Sequence, residues 1–265
     1  MSDENDRLAG QFTRLAETVR ELRLRCPWDR EQSIASLGKH LIEEAYEALD
    51  AIESGDPHAI ADELGDLTAQ ILAIGVIAEE QQRMRIAGIF QAAADKLIRR
   101  HPHVYGDTAA ETSAEVVENW NRIKQSERRE AGAASALDGV ARALPALMRA
   151  EKLGSRARQA GMDWRDIHDV LAKVREEMDE VEGALASNDP DAAAAELGDM
   201  LLALANAPRF LGRNAEETLR RACDKFTGRF AIVERIAHAR GLDLAAMSPA
   251  AIDALWQEAK RTAGK

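Results

Sequence analysis

Apolar residues near the N-terminus recur at alternating spacings of three and four positions. This spacing places them on one face of an α-helix. The apolar residues with this spacing are Leu8, Phe12, Leu15, Val19 and Leu22. Pro27 should end the helix, because the residue before a proline is displaced from helical backbone angles. No sustained alternation of apolar and polar residues rich in Val, Ile and Thr is present, so an all-α fold is predicted.

Two further helices are predicted to meet at a short turn near residue 56. The first runs from about Ser36 to Ser54, and the second from Pro57 to about Gln82. Asp56 is a typical N-cap residue, and proline is favoured at the first helical position. Because the connection is so short, the two helices should form an antiparallel hairpin.

The chain then repeats this hairpin 133 positions later. "EEAYE" at 43–47 matches "EEMDE" at 176–180, "GDP" at 55–57 matches "NDP" at 188–190, and "ELGD" occurs at both 63–66 and 196–199. A second hairpin is therefore predicted, with one helix from about Asp166 to Ser187 and the next capped by Asp189.

The match continues downstream with small shifts in spacing. The basic and aromatic residues Lys96, Arg100, Trp120 and Lys124 have the counterparts Lys225, Arg229, Trp256 and Lys260. A polar segment rich in Gly and Ala, residues 126–139, is predicted to be the linker. The chain is thus predicted to hold two homologous helical domains, at about 1–130 and 131–265.

Composition excludes several classes of function. The formal charge of −11 makes the chain a poor partner for nucleic acid or an anionic membrane. No apolar segment reaches the roughly 18–20 residues that a membrane span needs, and the first ten residues do not resemble a signal peptide. Cys26 and Cys223 indicate no disulfide framework. A cytoplasmic protein is expected.

Carboxylates are crowded on the hairpins, with nine in residues 43–66. Glu44 and Glu47 lie three positions apart on the first helix, as do Glu63 and Asp66 on the second. At ~1.5 Å per residue, both pairs lie roughly 10–13 Å from the turn and can face each other. Four facing carboxylates repel one another unless a cation lies between them. Oxygen ligands suit Mg²⁺ or Mn²⁺, and Mg²⁺ usually accompanies a phosphate substrate.

A solvated helix face is the alternative interpretation of such acidic residues. It explains Glu43, Asp50 and Glu53, but it does not explain why both acid pairs recur with one spacing. Metal binding is therefore the favoured interpretation for both hairpins. The second set consists of Glu177, Glu180, Glu196 and Asp199.

Longer motifs carry a resemblance to a known family. "EExxE" followed by "ELGD" is similar to the signature of the all-α nucleoside triphosphate pyrophosphohydrolases. The motifs "CPWDREQS" at 26–33, "KLIRRHPHVYGD" at 96–107, "GMDW" at 161–164 and "KFTGRF" at 225–230 narrow the resemblance to the MazG family. The resemblance covers nearly the whole chain, in a tandem form with two four-helix-bundle-like domains.

This resemblance implies Mg²⁺-dependent hydrolysis of nucleoside triphosphates to monophosphate and pyrophosphate by a homodimer. It implies that the second acid set holds the metal, that Lys225, Arg229 and Lys260 hold phosphates, and that Trp256 lies near the nucleotide. "NAPR", residues 206–209, resembles the family's N-x-x-R motif, so Asn206 and Arg209 are expected substrate contacts. Pro208 departs from the family pattern and should kink the helix.

The resemblance implies that catalysis takes place mainly in the C-terminal domain, and the N-terminal domain lacks N-x-x-R in register. Its copy of the site would then be weak, regulatory or a dimer scaffold. The predicted catalytic residues are Glu176, Glu177, Glu180, Lys225 and Arg229. Glu176 or one of the metal-binding acids would orient the water.

Other functions stay open at this point. They are a related dUTPase-like or phosphoribosyl-ATP pyrophosphohydrolase activity, and a metal-bound sensor or scaffold without turnover.

Overall fold

The computed structural model describes residues 2–263, and every regular element in that range is helical. The predicted all-α class is confirmed. The chain divides into two compact units, Met1–Glu127 and Arg128–Lys265. No described helix is long and apolar enough to cross a membrane.

The first unit is built from α1 to α7. Their bounds are α1 Ser2–Arg25, α2 Pro27–Glu31, α3 Ile34–Ser54, α4 Pro57–Glu80, α5 Ile86–Arg100, α6 Pro102–Tyr105 and α7 Ser113–Glu130. Helix α7 continues into the predicted linker, and residues 131–145 form no helix.

The core of the first unit lies between α1, α4 and α5. Ala16 and Val19 pack there against Leu72, Val76 and Ile86. The predicted apolar face of α1 is buried only in its middle, since Leu8 and Leu22 near its ends are exposed.

The α3–α4 hairpin forms as predicted. Gly55 ends α3 with a φ of +71°, which glycine adopts without strain. Asp56 then accepts a hydrogen bond from the backbone N–H of His58 at 3.0 Å, and Pro57 opens α4. These local signals fix the antiparallel arrangement of the two acid-bearing helices.

The second unit repeats the hairpin and adds a longer helical pair. Its α-helices are α8 Ala146–Gln159, α9 Ile167–Ala186, α10 Pro190–Leu204, α11 Ala215–Ala239 and α12 Pro249–Ala263. Asp189 caps α10 through the N–H of Ala192 at 3.0 Å, as predicted. Apolar residues of α11 and α12 form the main core cluster, namely Val233, Ala237, Leu255 and Ala259.

Helix α10 is much shorter than its counterpart α4, with 15 residues against 24. Pro208 has no N–H to donate to the carbonyl of Leu204, four residues earlier, so the helix ends there. A 3-10 helix, Pro208–Leu211, follows. The sequence predicted a kink within a continuous helix at this position. The structure instead places a turn and a new element.

Candidate functional site

Three carboxylates converge on the second hairpin. Glu177 on α9 and Glu196 and Asp199 on α10 each have an oxygen within 4.8 Å of the others. The first hairpin gathers Glu44, Glu63 and Asp66 within the same distance. The structure thus brings together three of the four predicted metal ligands in each unit, and we call each group an acid trio.

The fourth predicted ligand lies beside each trio rather than within it. Glu180 and Glu47 are both exposed. Glu180 nevertheless contributes to the raised pKa of Glu196, and Glu47 to that of Glu63. The metal roles of all eight acids stay predictions.

Burial and repulsion between carboxylates both act on one glutamate of each trio. Burial, followed by repulsion from Glu180 and Glu177, raises the pKa of Glu196 above its ordinary value. Burial and then Glu47 raise the pKa of Glu63. Glu63 also has a buried oxygen, Oε2, with no hydrogen-bond partner. A carboxylate-only donor set of this kind fits a hard divalent cation.

Lys173 contacts the acids of the second hairpin, and sequence reasoning missed it. Its Nζ lies 2.6 Å from a carboxylate oxygen of both Glu176 and Glu177. Glu177 is only 3% exposed, and the bond from Lys173 lowers its pKa despite burial. The same two bonds raise the pKa of Lys173. The i,i+3 and i,i+4 spacing of a lysine to two glutamates was the available signal.

The first hairpin has a histidine at the position of Lys173. His40 Nδ1 lies 3.0 Å from Glu43 Oε2, and Glu43 corresponds to Glu176 in the repeat. Glu44 instead receives a long contact of 3.5 Å from the Gln70 amide. The two acid trios therefore have different neighbours.

The predicted phosphate contacts of the second unit lie on α11 and α12. Lys225 is exposed, whereas Arg229 and Lys260 are partly buried. The Nε of Arg229 is buried and has no hydrogen-bond partner. Between residues 2 and 263, none of these three cations forms an ion pair. All three are therefore uncommitted and can accept an anion.

An aromatic cavity is lined by residues of α11 and α12, the helices that carry these cations. Trp256 packs against Phe226 with ring centroids 5.2 Å apart, and Phe226 stacks on Phe230 at 6.1 Å. The cavity has a volume of about 480 Å³, and Asp253 is the one charged side chain among the described residues that line it. Phe226 and Phe230 directly follow Lys225 and Arg229. The predicted phosphate contacts and the aromatic surface therefore lie on one stretch of α11.

Asn206 and Arg209 do not lie on the acid-bearing helix, because α10 ends before them. Asn206 is 2% exposed and donates from Nδ2 to the carbonyl of Leu202 at 2.9 Å. Arg209 pairs with Asp163 of the "GMDW" motif and covers the ring of Phe210. Direct contact between Asn206 and a substrate would require this turn to open, so both substrate contacts stay predictions.

Known proteins match the two segments of the chain that contain the acid trios. The family model described as "MazG nucleotide pyrophosphohydrolase domain" matches residues 32–105 and 165–233. The chain belongs to the MazG family. Both matched segments contain an acid trio, so the tandem MazG arrangement predicted from the repeat is confirmed.

Curated MazG relatives match over most of the chain. "Nucleoside triphosphate pyrophosphohydrolase" of Escherichia coli K12 is 44% identical over 89% of this chain and 90% of its own length. "Nucleoside triphosphate pyrophosphohydrolase/pyrophosphatase MazG" of Thermotoga maritima is 35% identical over 89% of both chains. "Uncharacterized protein YabN" of Bacillus subtilis is 38% identical over 98% of this chain and 53% of its own length.

Proposed function

We propose that this MazG protein hydrolyses nucleoside triphosphates, ribo- and deoxyribo-, to the monophosphate and pyrophosphate. The observation that carries the proposal is the second unit's combination of an acid trio with three uncommitted cations. The names of the E. coli and T. maritima relatives support the same reaction.

The residues of the second unit divide the work between charge neutralisation and positioning. Glu177, Glu180, Glu196 and Asp199 would hold Mg²⁺, or Mn²⁺ as a substitute. The bound ion would neutralise triphosphate charge and lower the pKa of a bound water. Lys225, Arg229 and Lys260 would hold the phosphate oxygens. The positioning of the phosphates by these cations supplies much of the rate in this kind of reaction.

In this proposal, Glu176 would orient the attacking water. It is exposed and lies outside the trio, yet its carboxylate is held at 2.6 Å by Lys173. Lys173 therefore fixes Glu176 and Glu177 relative to each other. A carboxylate held next to the metal ligands can accept a proton from water without itself binding the ion.

The cavity at Trp256 would take the nucleobase. Its aromatic walls stack on any base, because every base has a π-face. Among the described residues that line it there is no Asn or Gln, and Asp253 is the one carboxylate, so few side chains can contact the edge of a base. Broad specificity is therefore part of the proposal.

Two variants test the reaction and the domain that performs it. The intact chain is incubated with ATP, dUTP and dGTP, with Mg²⁺ and with EDTA, and the products are resolved. Glu177→Ala should abolish Mg²⁺-dependent release of pyrophosphate, whereas the matched variant Glu44→Ala should retain it.

The opposite pattern would move the main site to the N-terminal unit. Nucleotide binding without turnover by the unaltered chain would contradict the hydrolase proposal and favour a sensor. Turnover confined to dUTP would replace the broad specificity with a dUTPase-like activity.

We also propose that the protein works as a cytoplasmic homodimer. Leu197, Leu201 and Leu204 recur on one face of α10 and are all exposed. Leu64 and Ile71 repeat this exposure on α4. Contiguous exposed apolar side chains of this kind mark interaction surfaces. Both cysteines are free, which suits a reducing compartment.

A further inference from the structure

The two MazG units differ in what surrounds their equivalent arginines. In the second unit, Arg229 pairs with no carboxylate of the described chain, and its Nε is unpartnered. In the first unit, Arg100 occupies the same position of the repeat and is bonded to a carboxylate. Its Nε and Nη2 both donate to Glu127 Oε2, at 3.0 and 2.5 Å.

The carboxylate of Glu127 is held from several directions. Arg99 Nε donates to its other oxygen at 2.8 Å, and Trp120 lies against the guanidinium of Arg100 with the ring centroid 5.5 Å away. The side chains of Arg100 and Glu127 are only 17% and 20% exposed. The bond from Arg100 and then that from Arg99 lower the pKa of Glu127, so it is ionised at neutral pH.

The second unit has no carboxylate at the corresponding place. On α7, Lys124 lies four positions after Trp120, and Glu127 lies three positions after Lys124. Trp256 and Lys260 repeat the first two positions on α12, and the third is Ala263. The repeat thus conserves the aromatic residue and the lysine but exchanges the acid for alanine.

We propose that Glu127 excludes nucleoside triphosphates from the N-terminal unit, because its carboxylate binds Arg100 in place of a phosphate. The inference rests on the proposed function, because it takes Arg229 as a phosphate contact. A carboxylate and a phosphate present the same anionic oxygens to a guanidinium. To bond Nε and Nη2 of Arg100, a triphosphate must therefore displace the carboxylate of Glu127. The displaced carboxylate stays on the neighbouring helix and repels the phosphate charge. Glu127 determines which copy of the site takes substrate.

Counting nucleotide sites on the full-length protein tests this inference. Isothermal titration with the non-hydrolysable probe α,β-methylene-ATP and Mg²⁺ should find one site per unaltered chain. Glu127→Gln keeps the size of the side chain and removes its charge, so a second site should emerge. Loss of a charge-assisted pair implies a gain of about 10- to 100-fold in affinity at that site.

Matched variants assign the new site. Glu118→Gln removes an exposed carboxylate from the same helix and should leave one site. Arg100→Ala added to Glu127→Gln should abolish the second site. Glu127→Ala provides an independent measurement if the glutamine variant does not fold, as judged by circular dichroism.

The outcomes separate the inference from the proposed function. Two sites of similar affinity on the unaltered chain, or a single site in folded Glu127→Gln and Glu127→Ala variants, would overturn the role of Glu127. Absence of any site on the unaltered chain would instead count against the proposed function.

Discussion

The packing of Asn206 against Gly154 leads to a quantitative prediction. A Cβ atom placed on Gly154 of α8 would lie 1.8 Å from Asn206 Oδ1 and 2.7 Å from its Cγ. Real Cβ contacts essentially never fall below 3.0 Å, so Gly154→Ala must displace the asparagine or the helix by more than 1 Å. Asn206 cannot simply rotate away, because its Nδ2 is bound to the carbonyl of Leu202.

The expected loss of stability follows from two opposing effects. Overpacking of a well-packed core typically costs about 1–3 kcal/mol. Replacement of a helical glycine by alanine otherwise stabilises by roughly 0.5–1 kcal/mol. Gly183→Ala on α9 isolates the second effect, because nothing lies within 4 Å of the added Cβ. Gly154→Ala should therefore be less stable than Gly183→Ala by about 1–3 kcal/mol, the overpacking term alone.

Chemical denaturation followed by circular dichroism measures this difference. Asn206→Ala, added to Gly154→Ala, should restore at least half of the lost stability, since the clash disappears with the amide. Equal stability of the Gly154→Ala and Gly183→Ala variants would refute the packing of Asn206.

Turnover of Asn206→Ala then decides between packing and substrate contact. A role in packing alone leaves kcat/KM within a few-fold of the unaltered enzyme, whereas direct contact would lower it far more.

Two further predictions concern the acid trios and the exposed leucines. Mg²⁺ should raise the unfolding temperature by an amount that grows with pH above 4.5. The pKa of Glu196 is raised in the folded state. The metal-free protein therefore loses stability as rising pH ionises this group. Glu196→Gln should flatten this dependence in scanning calorimetry with and without EDTA. Leu201→Glu should convert the proposed dimer to monomers of unchanged helicity in light scattering. A monomeric unaltered protein would contradict that dimer.

The hairpins could be predicted because their signals are local. Asp56 with Pro57, and Asp189 with Pro190, fix the start of each second helix within a few residues. The hairpin geometry then brings acids at a fixed distance from the turn to the same depth. The convergence of each acid trio therefore followed from spacing alone, without knowledge of the rest of the fold.

The end of α10 could be predicted only in part. Pro208 signalled an interruption, but proline inside a helix either kinks it or ends it. Which of the two occurs depends on the hydrogen-bond partners of the backbone groups that lose their helical bonds. Here the N–H groups of Asn206 and Ala207 bond to the carbonyls of Ala203 and Leu204, and this tighter turn ends α10. It places Asn206 against Gly154, and no periodicity of the sequence indicated that contact.

Glu127 was missed because its partners are distant in sequence. Glu127 lies 27 positions after Arg100, with a short helix and a loop between them. In the sequence, Glu127 is one of several charged residues in the polar segment at the end of α7. Only the fold shows that it faces two arginines.

The duplicated units differ in the charged partners of their equivalent residues. In the C-terminal unit a cation, Lys173, lies on the acids, while Arg229 has no anionic partner. In the N-terminal unit the situation is reversed, because an anion, Glu127, lies on Arg100, and Glu63 keeps an unpartnered oxygen. The proposed magnesium–triphosphate substrate carries both charges, and of the two equivalent arginines Arg229 is the one without a carboxylate partner among the described residues. Under the proposal for Glu127, the presence of the acids alone does not make a copy active, and the partner of the arginine separates the two units.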